Sequence, residues 1–385
     1  MTFNYDKYYE SAVRLYRALH QVPEIGFNLK ETTEIVKSEL SDCGIEYTEK
    51  YGRGSVVAEI GQGNVCIALR ADMDALPMEE KSGLSFSSKN KGAMHACGHD
   101  SHTAILLAVA RFLKEKESCL ACRVRFIFQP SEEGAISGAE MMVKNGVMDG
   151  VDHIIATHCD PNISAAKLGI CEGNYMAACI PIRITFIGKS SHATIPEKGI
   201  DAIAMANKAY AELKSAMINE AKGEKYIWNV GRFEGGSAHN IICDKCEMDI
   251  SFRFYNMDLA SRMENVTKRI CTDIAKEYNG NVQIDWHIST GPVINSANIV
   301  NVFKSIAQNA GIKTNVISSV MASEDFGWYI TKAPGCLFRY GIKDEAFGST
   351  NEIHTCNFKI YEPAMKPAII AFCEYILNVK GGAKQ

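Results

Sequence analysis

The chain has 385 residues, 46% hydrophobic and 22% charged, with a net charge of -4. It is too long for one simple core and lacks the basic excess that nucleic acid or a membrane surface demands. No apolar run spans a bilayer, the opening "MTFNYDKYYESAVRLYRALH" lacks a signal-peptide centre, and 14 cysteines without framework spacing suit a reducing compartment. The expectation is a soluble, cytoplasmic, two-domain protein that binds neither nucleic acid nor membrane.

In chain order, "YYESAVRLYRALH" and "LKETTEIVKSELSDCG" carry helical periodicity, the second ending at glycine. "GSVVAEIG", "VCIALRAD", "RVRFIFQP" and "HIIATH" are short, β-branched runs expected of buried strands. Helical "SHTAILLAVARFLKEKE" and "GAEMMVKNGVMD" fall between them. This alternation predicts an α/β layer with a mixed, largely parallel sheet flanked by helices.

Near residue 181 the pattern changes. "IPIRITFIG", "IDAIAMANKAYAELKSAM", "KYIWNVGRFEGG", "EMDISFRFYN", "DLASRMENVTKRICTDIAKEYNG" and "VQIDWHIS" read as β-α-β-β-α-β, a ferredoxin-like α+β unit. The helices "NIVNVFKSIAQNAG", "EDFGWYI" and "AMKPAIIAFCEYILNV" and the strand "CLFRYGI" then resume the first style. Residues 1–180 and 291–385 therefore read as one domain, and 181–290 as a smaller domain inserted into it.

Polar residues collect where the strands end. Asp72 and Asp74 follow "VCIALR", Glu132 and Glu133 follow "VRFIFQP", and His158 ends "HIIATH". Cys97, His99 and Asp100 in "MHACGHDSHTA" immediately precede a helix. Ligands of open α/β sheets bind beyond the carboxyl ends of the strands. A polar loop would account for any one of these segments alone; together they predict a site. Thiolate, imidazole and carboxylate side by side suit zinc better than magnesium or calcium, which prefer oxygen. Of two adjacent glutamates in a tight loop, one can hold metal while the other acts as general base. Two C-x-x-C pairs, Cys119/Cys122 and Cys243/Cys246, invite a structural zinc reading. They are far apart in sequence and lie beside strands, so that reading is set aside.

"RADMDALP", "MHACGHDSHTA", "FQPSEEG", "GKSSHATIP", "MASEDF" and "NEIHTCNF" occur here in one order. With them the chain, over nearly its whole length, resembles the dinuclear-metal aminoacylase-like amidohydrolases and metallopeptidases. That group includes hippurate hydrolases and plant auxin-conjugate hydrolases. The resemblance implies a catalytic α/β domain interrupted by a dimerising lid, and hydrolysis of the amide of N-acyl amino acids by a homodimer. It implies two divalent metal ions per subunit, zinc before manganese because of the thiol. Cys97 would bridge the two, His99 and His158 would complete one, and Glu133 and His354 the other. Glu132 would be the general base. His192 of the lid would polarise the scissile carbonyl across the dimer, and Asn240 and Arg253 would grip the substrate. Asp72, Asp74 and Asp100 would orient ligands. His20, His95 and His102 read as structural; His153, His239 and His287 receive no role.

The chain departs from the pattern at "HCDP" (158–161), where "HVWP" is usual. It departs also at "NIICD" (240–244), with Cys243 in the place of proline, and at Ser190 and Ser191, in the place of glycines. A dipeptidase or aminopeptidase is the alternative, with Asp160 to meet a free amino group. A storage protein without turnover would gain nothing from Glu132.

Overall fold

Short β-branched runs and amphipathic stretches become the elements in turn, over residues 3–378, the part that the computed structural model describes. Along the chain, α1 (Asp6–His20) and α2 (Lys30–Asp42) precede β1 (Tyr47–Thr48), β2 (Val56–Ile60) and β3 (Cys66–Asp72). Then come α3 (His99–Glu115), β4 (Arg123–Gln129), α4 (Gly138–Lys144), β5 (His153–Ser164), β6 (Lys167–Ile170) and β7 (Gly173–Met176). β8 (Ala178–Ile187), α5 (Ala202–Ala221), β9 (Tyr226–Gly235), β10 (Lys245–Phe254), α6 (Met257–Glu277) and β11 (Asn281–Trp286) follow. The chain closes with β12 (Val293–Asn295), α7 (Ala297–Asn309), β13 (Lys313–Val316), α8 (Gly327–Ile330), β14 (Gly335–Lys343) and α9 (Met365–Asn378).

Two units result. The first comprises residues up to 175, 294–319 and from 325 on; the second comprises 176–293 and 320–324. The first holds a 10-stranded sheet in the order β1-β2-β4-β3-β5-β14-β12-β7, with β6 joining β13 to β14. Its central pairs β4/β3, β3/β5 and β5/β14 are parallel, and β1/β2, β2/β4 and β6/β14 antiparallel. Every residue of β3 is buried, as a strand covered on both faces requires. Helix α3 is buried from His99 to Ala110 and again at Phe112 and Leu113, so its apolar surface is all round rather than one stripe. The Phe112 ring lies 5.5, 5.1 and 5.0 Å from those of Phe3, Tyr5 and Tyr8. Phe112→Ala should cost about 3–5 kcal/mol of stability, the usual loss for a buried ring. Urea unfolding checks this; a loss below about 1 kcal/mol would mean that the aromatic cluster closes over the gap.

The second unit is a four-stranded antiparallel sheet in the order β11-β8-β10-β9 with α5 and α6 on one face. Strand β10 alternates buried with less buried residues along its length, because only one face is covered. The buried residues of α6 include Leu259, Met263, Thr267, Ile270 and Ile274, at helical spacing against that face. The opposite face carries the ion pairs Arg183–Asp249 and Arg232–Glu247.

Several elements differ from the sequence pattern. β1, β6, β7, β12 and β13 are two to four residues long, too short for a two-residue period to register. The helix expected over 138–149 stops at Lys144, since Gly146 turns the backbone to φ +83°. The helix expected over 324–330 starts only at Gly327. Strand β5 continues six residues past His158, because β14 pairs along it beyond the point where β3 stops. The second unit begins before residue 181, since β8 starts at Ala178, and it takes in 320–324, which bonds to it through Ala177 N to Ala322 O. Among the described residues no helix is long and apolar enough to cross a membrane.

Candidate metal and hydrolytic site

Parallel pairing of β3 with β5 ends at Arg70 opposite Ala156. Asp72 and His158 thus lie just past the paired stretch, at the edge where open sheets bind ligands. Cys97, Gly98 and His99 reach the same edge at the start of α3. Gly98 has φ +83°, and a Cβ there would sit 2.6 Å from Cys159 Sγ, so only glycine lets the ligand loop close against β5. The Cys159 thiol donates to Cys97 O at 3.2 Å. On the other side, His354 N donates to Ala96 O at 2.8 Å, and His354 holds φ +62°. A non-glycine residue in that region costs of order 1–3 kcal/mol and tends to mark functional sites.

The side chains converge in two triads that share one atom. Cys97, His99 and His158 form one and Cys97, Glu133 and His354 the other, with the ligand atoms of each within 4.8 Å of one another. Cys97 Sγ is 3.3 Å from His158 Nε2, and Glu133 Oε1 is 2.9 Å from His354 Nε2. That Glu133 oxygen has contact distance without hydrogen-bond geometry, and buried His99 Nε2 also has no hydrogen-bond partner. Buried polar atoms left in this way are costly unless something fills the gap between them. Glu132 Oε2 stands 3.9 Å from His99 Nε2.

Each imidazole is held by its other nitrogen. His99 Nδ1–H donates to Asp74 O at 2.8 Å and His158 Nδ1–H to Cys159 O at 2.7 Å, which leaves both Nε2 lone pairs for the site. His102 differs: its Nε2 accepts from Cys159 N at 3.0 Å and its Nδ1–H donates to Asp72 Oδ1 at 2.6 Å. With both nitrogens engaged, His102 braces β5 against Asp72 and has no lone pair for a cation.

The electrostatics fit a cation. Burial alone would push the His99 pKa down, yet Asp72 and Asp74 carry it up to about 10. The surroundings thus demand positive charge at this ring, which a divalent ion supplies as well as a proton. Burial, then Glu133, hold the Cys97 thiol well above its usual pKa, so it ionises only when a cation takes the proton's place. Burial, with Arg339 nearby, keeps His158 neutral and ready as a ligand. Burial raises the Glu133 pKa, but contact with His354, then His99, outweighs it and keeps the carboxylate ionised. The donor set of thiol, imidazole and carboxylate is that of zinc or a similar ion.

Asp74 accepts from the backbone N–H of Glu132 at 2.9 Å and of Glu133 at 3.1 Å, so it sets the loop that carries both. Asp72 is bonded to Arg70 and His102. Asp100 turns to His20 at 2.6 Å and to Ser101 N at 2.8 Å rather than to a member of the triads; His20 in turn meets Glu80 at 3.1 Å. His95 is buried, and burial pushes its pKa down to about 4.

Three predicted site residues belong to the second unit. His192 is exposed, and its Nδ1 accepts from Thr194 N at 3.3 Å. Asn240 O accepts from Ala193 N at 3.0 Å, which brings Asn240 beside His192. Arg253 on β10 donates to Met321 O at 3.0 Å and Ser323 Oγ at 3.1 Å. Of the C-x-x-C cysteines, Cys119 is exposed whereas Cys122 is buried, and Cys243 and Cys246 are buried in the second unit. The two pairs do not share a unit.

Sequence reasoning missed Arg70 and Gln129. Both are fully buried: Arg70 donates through Nη1 to Asp72 Oδ2 at 2.7 Å and through Nε to Gln129 Oε1 at 2.8 Å. The signal was a polar residue within the C-terminal half of each largely buried strand, Arg70 in "CIALRAD" and Gln129 in "RVRFIFQ".

The model of peptidase family M20/M25/M40 matches residues 68–378. The chain is similar to an N-acetylcysteine deacetylase of Bacillus subtilis, at 32% identity over 95% of this chain and 96% of that protein. It is similar to thermostable carboxypeptidase 2 of Saccharolobus solfataricus, at 31% identity over 93% of each. Among solved structures it resembles a B. subtilis dinuclear metal-binding peptidase of the M20 family. That likeness has a TM-score of 0.83 and 30% identity over 97% of this chain and 98% of the other.

Proposed function

Because the chain belongs to peptidase family M20/M25/M40 and is a metal-dependent hydrolase, we propose that it cleaves the amide bond of small N-acyl amino acids. In this reading Cys97, His99 and His158 hold one divalent ion, and Cys97, Glu133 and His354 a second. Glu132 is the general base. The observation that carries it is the Cys97 thiol common to two triads, with Glu132 beside both. Zinc suits the thiol better than manganese does.

Bound there, the ions would polarise the scissile carbonyl and bring the pKa of a water towards about 7. The chain's own residues do the rest. Glu132 takes the proton of the attacking water and passes it to the amine nitrogen as the C–N bond breaks. His192 serves the oxyanion through Nε2, because its Nδ1 is turned to Thr194, 2.8 Å from Oγ1 and 3.3 Å from the backbone N. Arg253 and Asn240 hold the substrate carboxylate. Asp72, through His102, and Asp74, through the loop N–H groups, keep ligands and base in place.

Release of free amine from a panel of N-acyl amino acids by the metal-loaded protein tests this reading. A panel left intact while dipeptides are cut would favour the peptidase reading. Asp160 supports that second reading, since it lies two residues from His158 and so on the same face of β5.

The functional unit in this proposal is a homodimer in which His192 acts on the partner's site. His192→Ala should lower turnover about 100- to 1,000-fold, as loss of one oxyanion donor does. Mixing His192→Ala with Glu132→Gln subunits should restore activity in the one site that combines both intact residues. Proven mixed dimers as inactive as their parents would place His192 in its own chain's site or outside catalysis.

A further inference from the structure

The loop Ser131–Ser137, which carries Glu132 and Glu133, is tied in its first half by Asp74, through the N–H groups of those two residues. Its far end is tied by a residue from a distant part of the chain. Asp325, buried to 1% exposure, accepts from Ser137 Oγ at 2.7 Å and from Ala139 N at 3.2 Å, where the loop enters α4. The same carboxylate accepts from Arg70 Nη2 at 3.0 Å and from Gln129 Nε2 at 2.9 and 2.8 Å. Gln129 is the last residue of β4 and Arg70 lies near the end of β3, so one carboxylate joins two strand ends to the exit of the loop. Arg70 carries the tie on to Asp72, and Asp72 to His102. The start of the loop is fixed locally: Ser131 holds φ +52° and its hydroxyl donates to Ile136 O at 2.7 Å.

We propose that Asp325 is a positioning residue for the metal site, one that sets the Glu132–Glu133 loop through Ser137 and Ala139 and sets Asp72 through Arg70. It touches neither substrate nor metal. Its action rests on the roles proposed above for Glu132 and Glu133. Charge is essential to it: at least five donor contacts, from Arg70, Gln129, Ser137 and Ala139, converge on two oxygens, and an amide in that place would turn its own N–H groups against some of them.

The test uses the full chain, stripped of metal and titrated with Zn2+ against a chromophoric chelator, together with kcat and KM on an N-acyl amino acid. Asp325→Asn should raise the dissociation constant of the weaker metal site about 10-fold or more and lower kcat about 10- to 100-fold, with KM within about twofold. Ser137 supplies gentler variants should Asp325→Asn not fold. Its hydroxyl also accepts from Glu140 N as the cap of α4. Ser137→Asp keeps a good cap but sets a second carboxylate against Asp325, so it should loosen the metal in the same direction. Ser137→Thr keeps both bonds and should restore wild-type values. A folded Asp325→Asn, or a Ser137→Asp, with unchanged metal affinity and kcat would make Asp325 a fold staple and overturn the inference alone. A wild-type chain that takes up no metal would overturn the reading it rests on as well.

Discussion

Glu132→Gln should give a folded, metal-loaded protein whose kcat on an N-acyl amino acid is about 100- to 10,000-fold below wild type, the range of general acid–base catalysis. Glutamine keeps the shape but cannot accept a proton. The backbone N–H of residue 132 would still meet Asp74 Oδ1 at 2.9 Å, so the loop should hold its course. Glu133→Gln should behave differently. Its Oε1 faces His354 Nε2 at 2.9 Å and belongs to the triad with Cys97, so metal content should fall before rate at saturating metal does. Atomic absorption alongside steady-state kinetics separates the two. Swapped phenotypes would mean that base and ligand have been assigned the wrong way round.

Cys97→Ala should abolish turnover and release metal from both triads, because it removes the one atom they share. The loss should exceed the roughly 10- to 100-fold that follows removal of an outer partner of a metal ligand. Circular dichroism should be unchanged, since the substitution removes one small thiol from a buried position. Two metals per chain and full activity in Cys97→Ala would sink the shared-ligand assignment. Cys119→Ala and Cys243→Ala serve as controls and should leave metal content untouched; loss of one equivalent in either would revive the C-x-x-C reading.

Much of the architecture was legible without coordinates, for a physical reason. Buried strands such as "VCIALRAD" and amphipathic helices such as that of Met257–Glu277 must show their burial in their composition and period. The change from alternating β and α to β-α-β-β-α-β marked the second sheet in the same way. The residue types of the candidate site were legible too: the thiol, imidazoles and paired carboxylates singled out at the strand ends are the groups that the fold brings together. The sharper assignment of Cys97 as a shared ligand came from resemblance rather than from spacing.

Other features were set only by tertiary structure. Strands of two to four residues such as β12 and β13 are made by their neighbours' unpaired edges and have no pattern of their own. His158 looked like the end of a strand, and only the pairing of Arg339 opposite it carries β5 onward. His102 and His99 are three residues apart on one helix, yet the first has both nitrogens hydrogen-bonded and the second has an Nε2 without a hydrogen bond. Asp325 is the clearest case. Nothing in "MASEDF" says that its aspartate meets Arg70, Gln129 and Ser137. The sequence by itself determined which groups must be buried and which chemistry they bring. Which of them meet was decided by folding, because a buried charge takes whichever partners the packed chain brings within about 3 Å of it, however distant in sequence.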